Sequence, residues 1–589
     1  MNSNIKDIYS LTPSQKGMFA QYAQNTDTKA YQLRGLCKIN KNADLDILKK
    51  SVELLSVRHP VLKTAFTVLK STGAIKQVIL ENRKSAFVVL SQNEPYSQTV
   101  LDKLVDESTQ KALDLQKDSL FRVIIIDFTD ARFMLMHSHH IILDGWCLPV
   151  IVNDLQNYYS EIASGTGIEE LTDKIDKTVL SETSYAQYVK WIKSQDKDSV
   201  SAYWQNLLAD CSPAHIFGKE KKDNARNENI VTFETQLSSE LSQHIEQIAK
   251  NNKVSPNSVF ECAFSIALQK YSNSDDIVYD KIISGRSIPL KNIENTVGLF
   301  INTVPMRIQT NEDTTLTDLL NEIQNQTVNA NKHGILPLAE VYKACRIEAK
   351  SVDALFVFEN YYVGDISDME KGSLSPKLIS FNEQTEFNLN VVVLKEKNRY
   401  IVRTSYAKDV YNEKDINSFV NGYISIFNSA FNPDIFLKDI SVLSEEEKET
   451  LNKFNNTKTE YAKDKCVLDL FEEQVEKTPE KVAIVAVDNK LTYRELNEEA
   501  NKFAHNLIEK GIDKGDIVGI KLSRTSKFMV SLLGILKSGA AYLPFDTAHP
   551  QNRIEQILSD SNAKLCIAED NFAELLNNSN TENPDINIL

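Results

Sequence analysis

Two adjacent histidines end a predominantly apolar strand and precede an Asp-Gly turn in Met136-His137-Ser138-His139-His140-Ile141-Ile142-Leu143-Asp144-Gly145-Trp146. The residues Arg132 to His140 are predicted to form a β-strand. Because successive side chains of a strand point to opposite faces, His139 and His140 are expected on opposite sides of it. Apolar residues recur at helical spacing from Trp146 to Ile162, after the Asp-Gly turn. The stretch therefore predicts a strand, a turn and a helix in succession, a junction at which catalytic groups are often presented.

The elements on either side of this junction alternate between strands and helices. A hairpin is predicted from Phe121 to His140, with Thr129-Asp130 as its turn. A second series of elements begins near residue 230, so that two α/β lobes are expected. The other predicted elements are strands at Tyr31 to Ile39, Ile230 to Gln236, Asp276 to Ser284 and Val391 to Ser405, an alternating core strand around Phe356 and Phe358, and helices at Ala43 to Ser56, Ser238 to Lys250 and Ser255 to Tyr271.

The opening stretch resembles the His-His-x-x-x-Asp-Gly signature of nonribosomal peptide synthetase condensation domains. Further segments resemble motifs of the same family and occur in the same order over roughly residues 6 to 445, which makes a chance match very unlikely. These segments are Leu11 to Met18, Arg58 to Phe66, Tyr185 to Trp191 with Tyr203-Trp204, Ser284 to Arg286, and Val297 to Pro305.

From residue 466 the chain resembles the beginning of an adenylation domain. The matching segments are Leu470 to Glu472, Thr478 to Glu480, Leu491 to Leu496 and Leu536 to Asp546. Adenylate-forming enzymes hold ATP with a glycine-rich, Ser/Thr-rich phosphate loop, and no such loop occurs before Leu589. We therefore expect this part to be a truncated, inactive adenylation-domain start.

The resemblance also implies the domain arrangement. The fold expected is α/β, with two chloramphenicol-acetyltransferase-like lobes in a V shape around a tunnel and a partial α/β adenylation segment. The expected boundaries are 1–175 for the N-terminal condensation lobe, 176–440 for the C-terminal lobe, 441–465 for the linker and 466–589 for the adenylation start.

The resemblance assigns the second histidine of the signature, His140, to the tunnel as the catalytic residue. A free α-amino group has a pKa of roughly 7.7 to 8.0, so that a sizeable fraction is neutral without help. We therefore expect His140 to hold the amine and to accept its proton as charge develops on attack. Gly145 is the second expected catalytic position, because a residue without Cβ allows the backbone to approach the thioester closely.

Three further residues are expected to be structural at this site. His139 is interpreted as a packed, hydrogen-bonded core histidine. Asp144 needs a cationic partner if it is buried, and the resemblance implies that this partner is Arg286 of the second lobe.

The remaining histidines have simpler interpretations. His137 shares the strand face of His139 and is interpreted as packing. His59 lies in a motif that either has a functional role or only braces the first lobe. His333, near Gly334 and Pro337, is interpreted as an open loop position. No second ligand lies at a suitable spacing with acidic support, so a metal site is not expected.

The composition is that expected of an intracellular enzyme. With 66 basic and 81 acidic residues, the chain gives no electrostatic reason to expect nucleic acid or an anionic membrane as partner. Its seven cysteines are scattered and contain no Cys-x-x-Cys pair, which favours reduced, mostly buried thiols. Neither a signal-peptide core nor a run of about eighteen apolar residues is present. A cytoplasmic location is therefore expected.

Amide-bond formation is the function that the resemblance implies. The donor is an aminoacyl or peptidyl thioester on an upstream carrier domain, and the acceptor is an aminoacyl amine on a downstream carrier domain. The expected cofactor is the 4'-phosphopantetheine arm of these carrier partners, none being bound covalently to this chain. The two histidines and the Trp146-Cys147 pair resemble domains that join L-configured donors to L-configured acceptors, although the family's late Arg-Asp-x-Ser-Arg segment is replaced by Ser351 to Tyr361.

Two alternatives stay open from the sequence. The first is a starter acyltransferase of the same fold that takes an acyl-coenzyme A donor. The second is a non-catalytic docking domain that recruits a tailoring enzyme. The intact signature argues against the second, because such domains usually lose it.

Overall fold

The computed structural model describes residues 4–27, 30–182, 184–218, 229–348, 351–359, 374–382, 387–428, 434–568 and 587–588. The chain divides into two compact units, Met1–Lys453 and Phe454–Leu589. The first unit contains two lobes with separate hydrophobic cores, and strands and helices alternate in both. The mixed α/β class expected from the sequence is confirmed.

The N-terminal lobe is built on a five-stranded sheet and a smaller three-stranded sheet with the order β1-β4-β3. Its elements in chain order are β1 (Ile5–Ser10), α1 (Pro13–Gln24), β2 (Gln32–Ile39), α2 (Leu45–Arg58), β3 (Thr64–Val68), β4 (Ile75–Leu80), β5 (Ala86–Ser91), α3 (Gln98–Ser108), β6 (Phe121–Asp127), β7 (Arg132–His139), α4 (Cys147–Ala163), α5 (Ile168–Ser181) and α6 (Tyr185–Ser194).

Strand β7 lies in the middle of the five-stranded sheet, between β2 and β6. All eight of its residues are buried, because the sheet is covered on both faces. Phe133 and Leu135 pack in the cluster that includes Leu101 of α3, and Met134 and Met136 pack on the opposite face with residues of α2 and α4. A strand buried on both faces has no polar alternation, which explains the continuous apolar run that precedes the histidines.

The C-terminal lobe is built on a six-stranded sheet with the order β10-β9-β11-β13-β14-β8. Its elements are α7 (Lys197–Leu207), β8 (Ile230–Gln236), α8 (Ser239–Asn252), α9 (Pro256–Ser272), β9 (Asp276–Ile283), β10 (Asn302–Gln309), α10 (Leu316–His333), α11 (Leu338–Cys345), β11 (Ala354–Glu359), β12 (Lys377–Asn382), β13 (Leu389–Glu396), β14 (Arg399–Ala407) and α12 (Glu413–Asn428).

One predicted strand of this lobe was wrong. The run from Val391 to Ser405 is not a single strand but most of the antiparallel hairpin of β13 and β14. The chain reverses at Lys397, whose φ is 53°. Tight hairpin turns require such positive φ values, which Gly, Asn and Asp usually supply. Because lysine holds the positive-φ position here, the only typical turn residue in the sequence is the neighbouring Asn398.

The chain passes between the lobes more than once. The apolar residues of α6 belong to the N-terminal core, whereas Val200 and Trp204 of α7 belong to the C-terminal core. The passage therefore comes later than the 175/176 boundary expected from the sequence. The segment from Ile293 to Phe300 returns to the N-terminal core, and β12 pairs antiparallel with β2 to complete the five-stranded sheet, in the order β12-β2-β7-β6-β5.

Helix α13 (Glu445–Asn455), none of whose residues is buried, lies within the expected linker. The second unit contains a two-stranded sheet and a parallel sheet with the order β18-β17-β19-β20. Its elements are α14 (Val467–Lys477), β15 (Val482–Val485), β16 (Lys490–Thr492), α15 (Tyr493–Glu509), β17 (Ile517–Lys521), α16 (Ser526–Lys537), β18 (Ala541–Pro544), α17 (Gln551–Ser561), β19 (Leu565–Ala568) and β20 (Asn587–Ile588). Among the described helices of the whole chain, none is long and apolar enough to cross a membrane.

Candidate active site

The two signature histidines lie where β7 ends. His139 is the last residue of the strand, and His140 begins a short 3-10 turn that extends to Ile142. The prediction that both residues lie in the strand was therefore wrong by one residue. The His140 amide still donates to the Tyr31 carbonyl at 2.7 Å, in register with the pairing of β2 and β7, but the His140 carbonyl accepts from the Leu143 amide at 3.2 Å, and this bond closes the turn that leaves the sheet.

Both side chains are buried, with 3% of His139 and 1% of His140 exposed. His139 Nδ1 accepts a hydrogen bond from the Ile141 amide at 3.1 Å, so this nitrogen carries no proton. Burial, together with the smaller effects of the neighbouring His140 and His137, lowers the pKa of His139 to about 3. His139 is thus a buried, neutral residue that accepts a hydrogen bond from the backbone of the turn. These properties agree with its interpretation as a core histidine.

His137 is also held inside the lobe. Its Nε2 pairs with the Gln32 side-chain oxygen at 2.7 Å. Burial lowers its pKa to about 4, with Arg122 and Arg34 adding to the effect. His137 is therefore neutral at physiological pH and packs in the sheet.

The predicted ion pair between Asp144 and Arg286 is present. Arg286 Nη1 lies 2.8 Å from Asp144 Oδ2, and the two side chains are 7% and 0% exposed. The same carboxylate oxygen accepts the Phe300 amide at 2.9 Å. The pair thus joins the signature turn of the N-terminal lobe to the chain that follows β9 of the C-terminal lobe.

Aromatic rings and a thiol enclose the Arg286 guanidinium. Its Cζ lies 4.3 Å from the centre of the Phe300 ring and 5.9 Å from that of Trp146, distances at which a cation is attracted to the ring. Cys147 Sγ lies 3.6 Å from Arg286 Nη2 and 3.4 Å from Asp144 Oδ1. Burial raises the pKa of the Cys147 thiol to about 12, so that it stays protonated and serves as a packing group.

A glycine makes the approach of Arg286 possible. Gly285 has a φ of +63°, and a Cβ at this position would lie 2.0 Å from the Phe300 carbonyl oxygen. Any other residue would both strain the backbone and collide with this oxygen. Tyr185 and Tyr188 of α6 donate to the carbonyls of Leu299 and Phe300 at 2.8 and 3.1 Å, which fixes the same segment from the other side.

Gly145 lies half-buried in the turn between Asp144 and α4. Its carbonyl accepts the Leu148 amide at 3.2 Å as the helix begins. The structure therefore places Gly145 one residue from the buried ion pair and five residues from His140.

The other histidines lie in separate environments. His59 Nε2 pairs with Asp154 at 2.8 Å, next to the Arg58 to Glu182 pair at 2.6 Å. Burial lowers the pKa of His59 against the opposing effect of Asp154. The loop position expected for His333 was wrong, because His333 is the last residue of α10, and its ring stacks on Tyr203 with ring centres 4.0 Å apart. In the part of the chain that the structure describes, no three His, Cys, Asp or Glu residues are grouped as metal ligands.

The sequence did not reveal every residue that supports this site. Gln15 donates to the Ile141 carbonyl at 2.9 Å from α1, and Phe300 and Cys147 surround the ion pair. Gln15 lies in the segment Leu11 to Met18, which resembles a motif of the family. The sequence therefore drew attention to this segment but did not reveal the contact of Gln15 with Ile141. Such a contact depends on the packing of α1 against the turn.

Two α/β lobes held together by a buried ion pair at a His-His-x-x-x-Asp-Gly turn are the arrangement expected of a condensation domain. The condensation-domain family model matches residues 5–452, and a model of AMP-binding enzymes matches residues 471–588. The chain belongs to the condensation-domain family of nonribosomal peptide synthetases, followed by an N-terminal segment of the AMP-binding type.

Curated relatives are much longer synthetases. Tyrocidine synthase 3 of Brevibacillus parabrevis is 34% identical over 96% of this chain and 9% of its own length. Bacitracin synthase 1 of Bacillus licheniformis is 31% identical over 96% of this chain and 11% of its own length. The chain thus spans only a small part of either relative.

Solved structures share the fold. A four-domain nonribosomal peptide synthetase bound to AMP and glycine has a TM-score of 0.69 at 18% identity, over 99% of this chain and 44% of that one. The first condensation domain of the calcium-dependent antibiotic synthetase, in complex with a substrate analogue, has a TM-score of 0.61 at 13% identity, over 75% of this chain and 100% of that one. At these identities the likeness concerns the fold alone.

Proposed function

We propose that the condensation unit joins two carrier-bound substrates by an amide bond. The donor is an aminoacyl or peptidyl thioester on an upstream carrier domain, and the acceptor is an aminoacyl amine on a downstream carrier domain, both of L configuration. The observation that supports this proposal best is the intact signature turn, in which His140 lies four residues before Asp144 of the buried Asp144–Arg286 pair.

The reaction needs only groups that the two substrates and the chain supply. The acceptor nitrogen attacks the thioester carbonyl carbon, the carbon–sulfur bond breaks, and the amine loses one proton as the thiol of the donor arm is released. His140 is proposed to orient the amine and to accept this proton as positive charge develops on nitrogen. Gly145 is proposed to leave space for the thioester, because it carries no side chain.

The substrates are proposed to arrive on 4'-phosphopantetheine arms of separate carrier domains. Two tethered reactants held against each other convert a bimolecular step into an effectively unimolecular one, which lowers the barrier by about 7 to 11 kcal/mol in well-oriented cases. The chain's contribution is then orientation, removal of water and acceptance of one proton. The proposal of separate carrier domains is supported by the similarity to much longer synthetases, of which this chain covers 9% and 11%.

The test offers the purified chain an aminoacyl donor on a carrier protein or on coenzyme A, with the same carrier-bound aminoacyl acceptor. Product is measured by mass spectrometry under single-turnover conditions. We expect dipeptide on the acceptor carrier with the carrier-bound donor only. Equal transfer from the coenzyme A donor would instead identify a starter acyltransferase, and absence of product from both donors would favour a docking role.

A further inference from the structure

Two glutamines form a fully buried amide pair beneath the His140 turn. Gln15 of α1 and Gln77 of β4 are both 0% exposed. Gln15 Nε2 donates to Gln77 Oε1 at 3.1 Å, and Gln77 Nε2 donates back to Gln15 Oε1 at 2.9 Å. Burying an amide is costly unless its donors and acceptors form hydrogen bonds. In this pair each amide donates one hydrogen bond to the oxygen of the other.

The remaining bonds connect the pair to two backbone segments. Gln15 Oε1 also accepts the Thr12 amide at 3.0 Å, and Gln77 Nε2 donates to the Ser10 carbonyl at 2.9 Å. The second proton of Gln15 Nε2 goes to the Ile141 carbonyl at 2.9 Å. The amide pair therefore bridges the start of α1 and the turn that carries His140.

This bond completes a set that holds the peptide units around His140. The His140 amide is bound by the Tyr31 carbonyl, the Ile141 amide by His139 Nδ1, and the Ile141 carbonyl by Gln15. With these three peptide units fixed, the Cα–Cβ direction of His140 is fixed as well. Among these partners, Gln15 is the one that reaches the turn from a different helix.

The hydrogen bond to the Ile141 carbonyl explains why position 15 has an amide and not a carboxylate. Gln15 is the third residue of α1 and closes a capping box with Thr12, a role in which Glu serves as well as Gln because only a side-chain oxygen is needed. In α15 the same box has Glu495. Only an amide can also donate to the Ile141 carbonyl.

We propose that Gln15, supported by Gln77, is a positioning residue that sets the orientation of the His140 side chain for amide formation. The proposal rests on the proposed condensation function and deepens it. Gln15 acts through the backbone of the turn and is not itself a catalytic residue.

The test replaces the donor without removing the cap, as Gln15→Glu. The matched control is Gln187→Glu, because Gln187 is the third residue of α6, caps Ser184 at 2.9 Å and is exposed. Ring-labelled histidine allows the His140 signal to be followed by NMR in the whole chain. We expect Gln15→Glu to shift the His140 signal, whereas Gln187→Glu leaves all histidine signals in place.

The kinetic part distinguishes positioning from general damage. Gln15→Glu is expected to lower the single-turnover condensation rate at saturation about tenfold to a hundredfold, the effect of a misplacement of roughly 1 Å, while the half-saturating carrier concentrations stay within about twofold. In a His140→Ala background the same change should add nothing. An equal loss in both backgrounds, or an unmoved His140 signal, would overturn the proposal.

A second variant decides the matter if Gln15→Glu does not fold. Gln77→Met keeps the bond from Gln15 to Ile141 but removes the restraint on the Gln15 amide, so a smaller His140 shift and a smaller rate loss are expected. An unchanged His140 signal in a folded Gln77→Met protein would refute the positioning role. Because the NMR signal does not depend on turnover, a shifted signal in a chain that lacks condensation activity would contradict the proposed function alone.

Discussion

The buried Asp144–Arg286 pair allows a stability prediction with a defined size. In Asp144→Asn the guanidinium of Arg286 stays buried without its counter-charge. In Arg286→Met the carboxylate of Asp144 stays buried without its counter-charge. Breaking a buried pair in this way costs about 3 to 5 kcal/mol. Two charges about 4 Å apart in an effective dielectric of about 20 interact by roughly 4 kcal/mol, which lies within this range of costs. We expect each single variant to lose stability in this range.

The double variant Asp144→Asn/Arg286→Met should be less damaged than the sum of the two losses. It removes both charges, so that neither is left unpaired in the interior. We expect a coupling of about 2 to 3 kcal/mol, the upper part of the range for residues in contact. The hydrogen bond from the Phe300 amide can persist, because asparagine keeps one side-chain oxygen.

Urea unfolding followed by tryptophan fluorescence is a suitable assay. The three tryptophans, Trp146, Trp191 and Trp204, all lie in the first unit, so the signal reports on the unit that contains the pair. The matched control is the exposed pair of Lys84 and Glu53, 2.9 Å apart and 69% and 36% exposed, for which about 0 to 1 kcal/mol is expected. Additive losses in the double variant, or equal costs for both pairs, would refute the argument.

Further predictions concern the buried residues His140, His139 and Asp280. His140→Ala should reduce condensation by about 100-fold or more with little change in unfolding midpoint, whereas His139→Ala should cost about 1 to 3 kcal/mol because the Ile141 amide loses its acceptor; a fully active His140→Ala protein would contradict the catalytic role. Asp280 is buried and bonded to Tyr342 at 2.6 Å, and burial raises its pKa to about 7 from an ordinary 3.8. Between these values the unfolded chain ionises while the native carboxyl stays protonated, so stability is fully present below pH 3.8 and is lost as pH rises to about 7. Urea unfolding at pH 5 and pH 8 should therefore show wild type losing about 2 to 3 kcal/mol more than Asp280→Asn; parallel losses would exclude a perturbed Asp280.

Local pattern was sufficient to predict the junction that carries the site. Strand β7 and helix α4 begin and end within about two residues of the expected positions, because a doubly covered strand and an amphipathic helix both leave short-range signals. The exit of His140 from the strand was missed, since it depends on the bond from the Leu143 amide to the His140 carbonyl, which closes the 3-10 turn. No periodicity of apolar residues around His140 indicates where the strand ends and this turn begins.

Contacts between distant segments account for most of the remaining differences. The pairing of β12 with β2 joins residues more than three hundred positions apart, and β-pairing at such separation leaves no periodicity in either segment. Asp144 and Arg286 are 142 residues apart, and it was the family resemblance, not spacing, that indicated this pair. The sequence analysis predicted neither α1 nor β4 as an element, and the pairing of Gln15 with Gln77 depends on how these two elements pack together.

The site is therefore a product of the whole condensation unit rather than of the lobe that carries its signature. The N-terminal lobe supplies His140 and the residues that hold its backbone, yet Arg286 comes from the chain after β9. The edge of β2 is covered by β12, which lies beyond β11 in sequence. Without these later segments, Asp144 would be a buried charge without a cation and β2 an unpaired edge strand. The same contacts that stabilise the joined lobes thus hold the signature turn in its shape, so that stability and catalytic geometry depend on a shared set of residues.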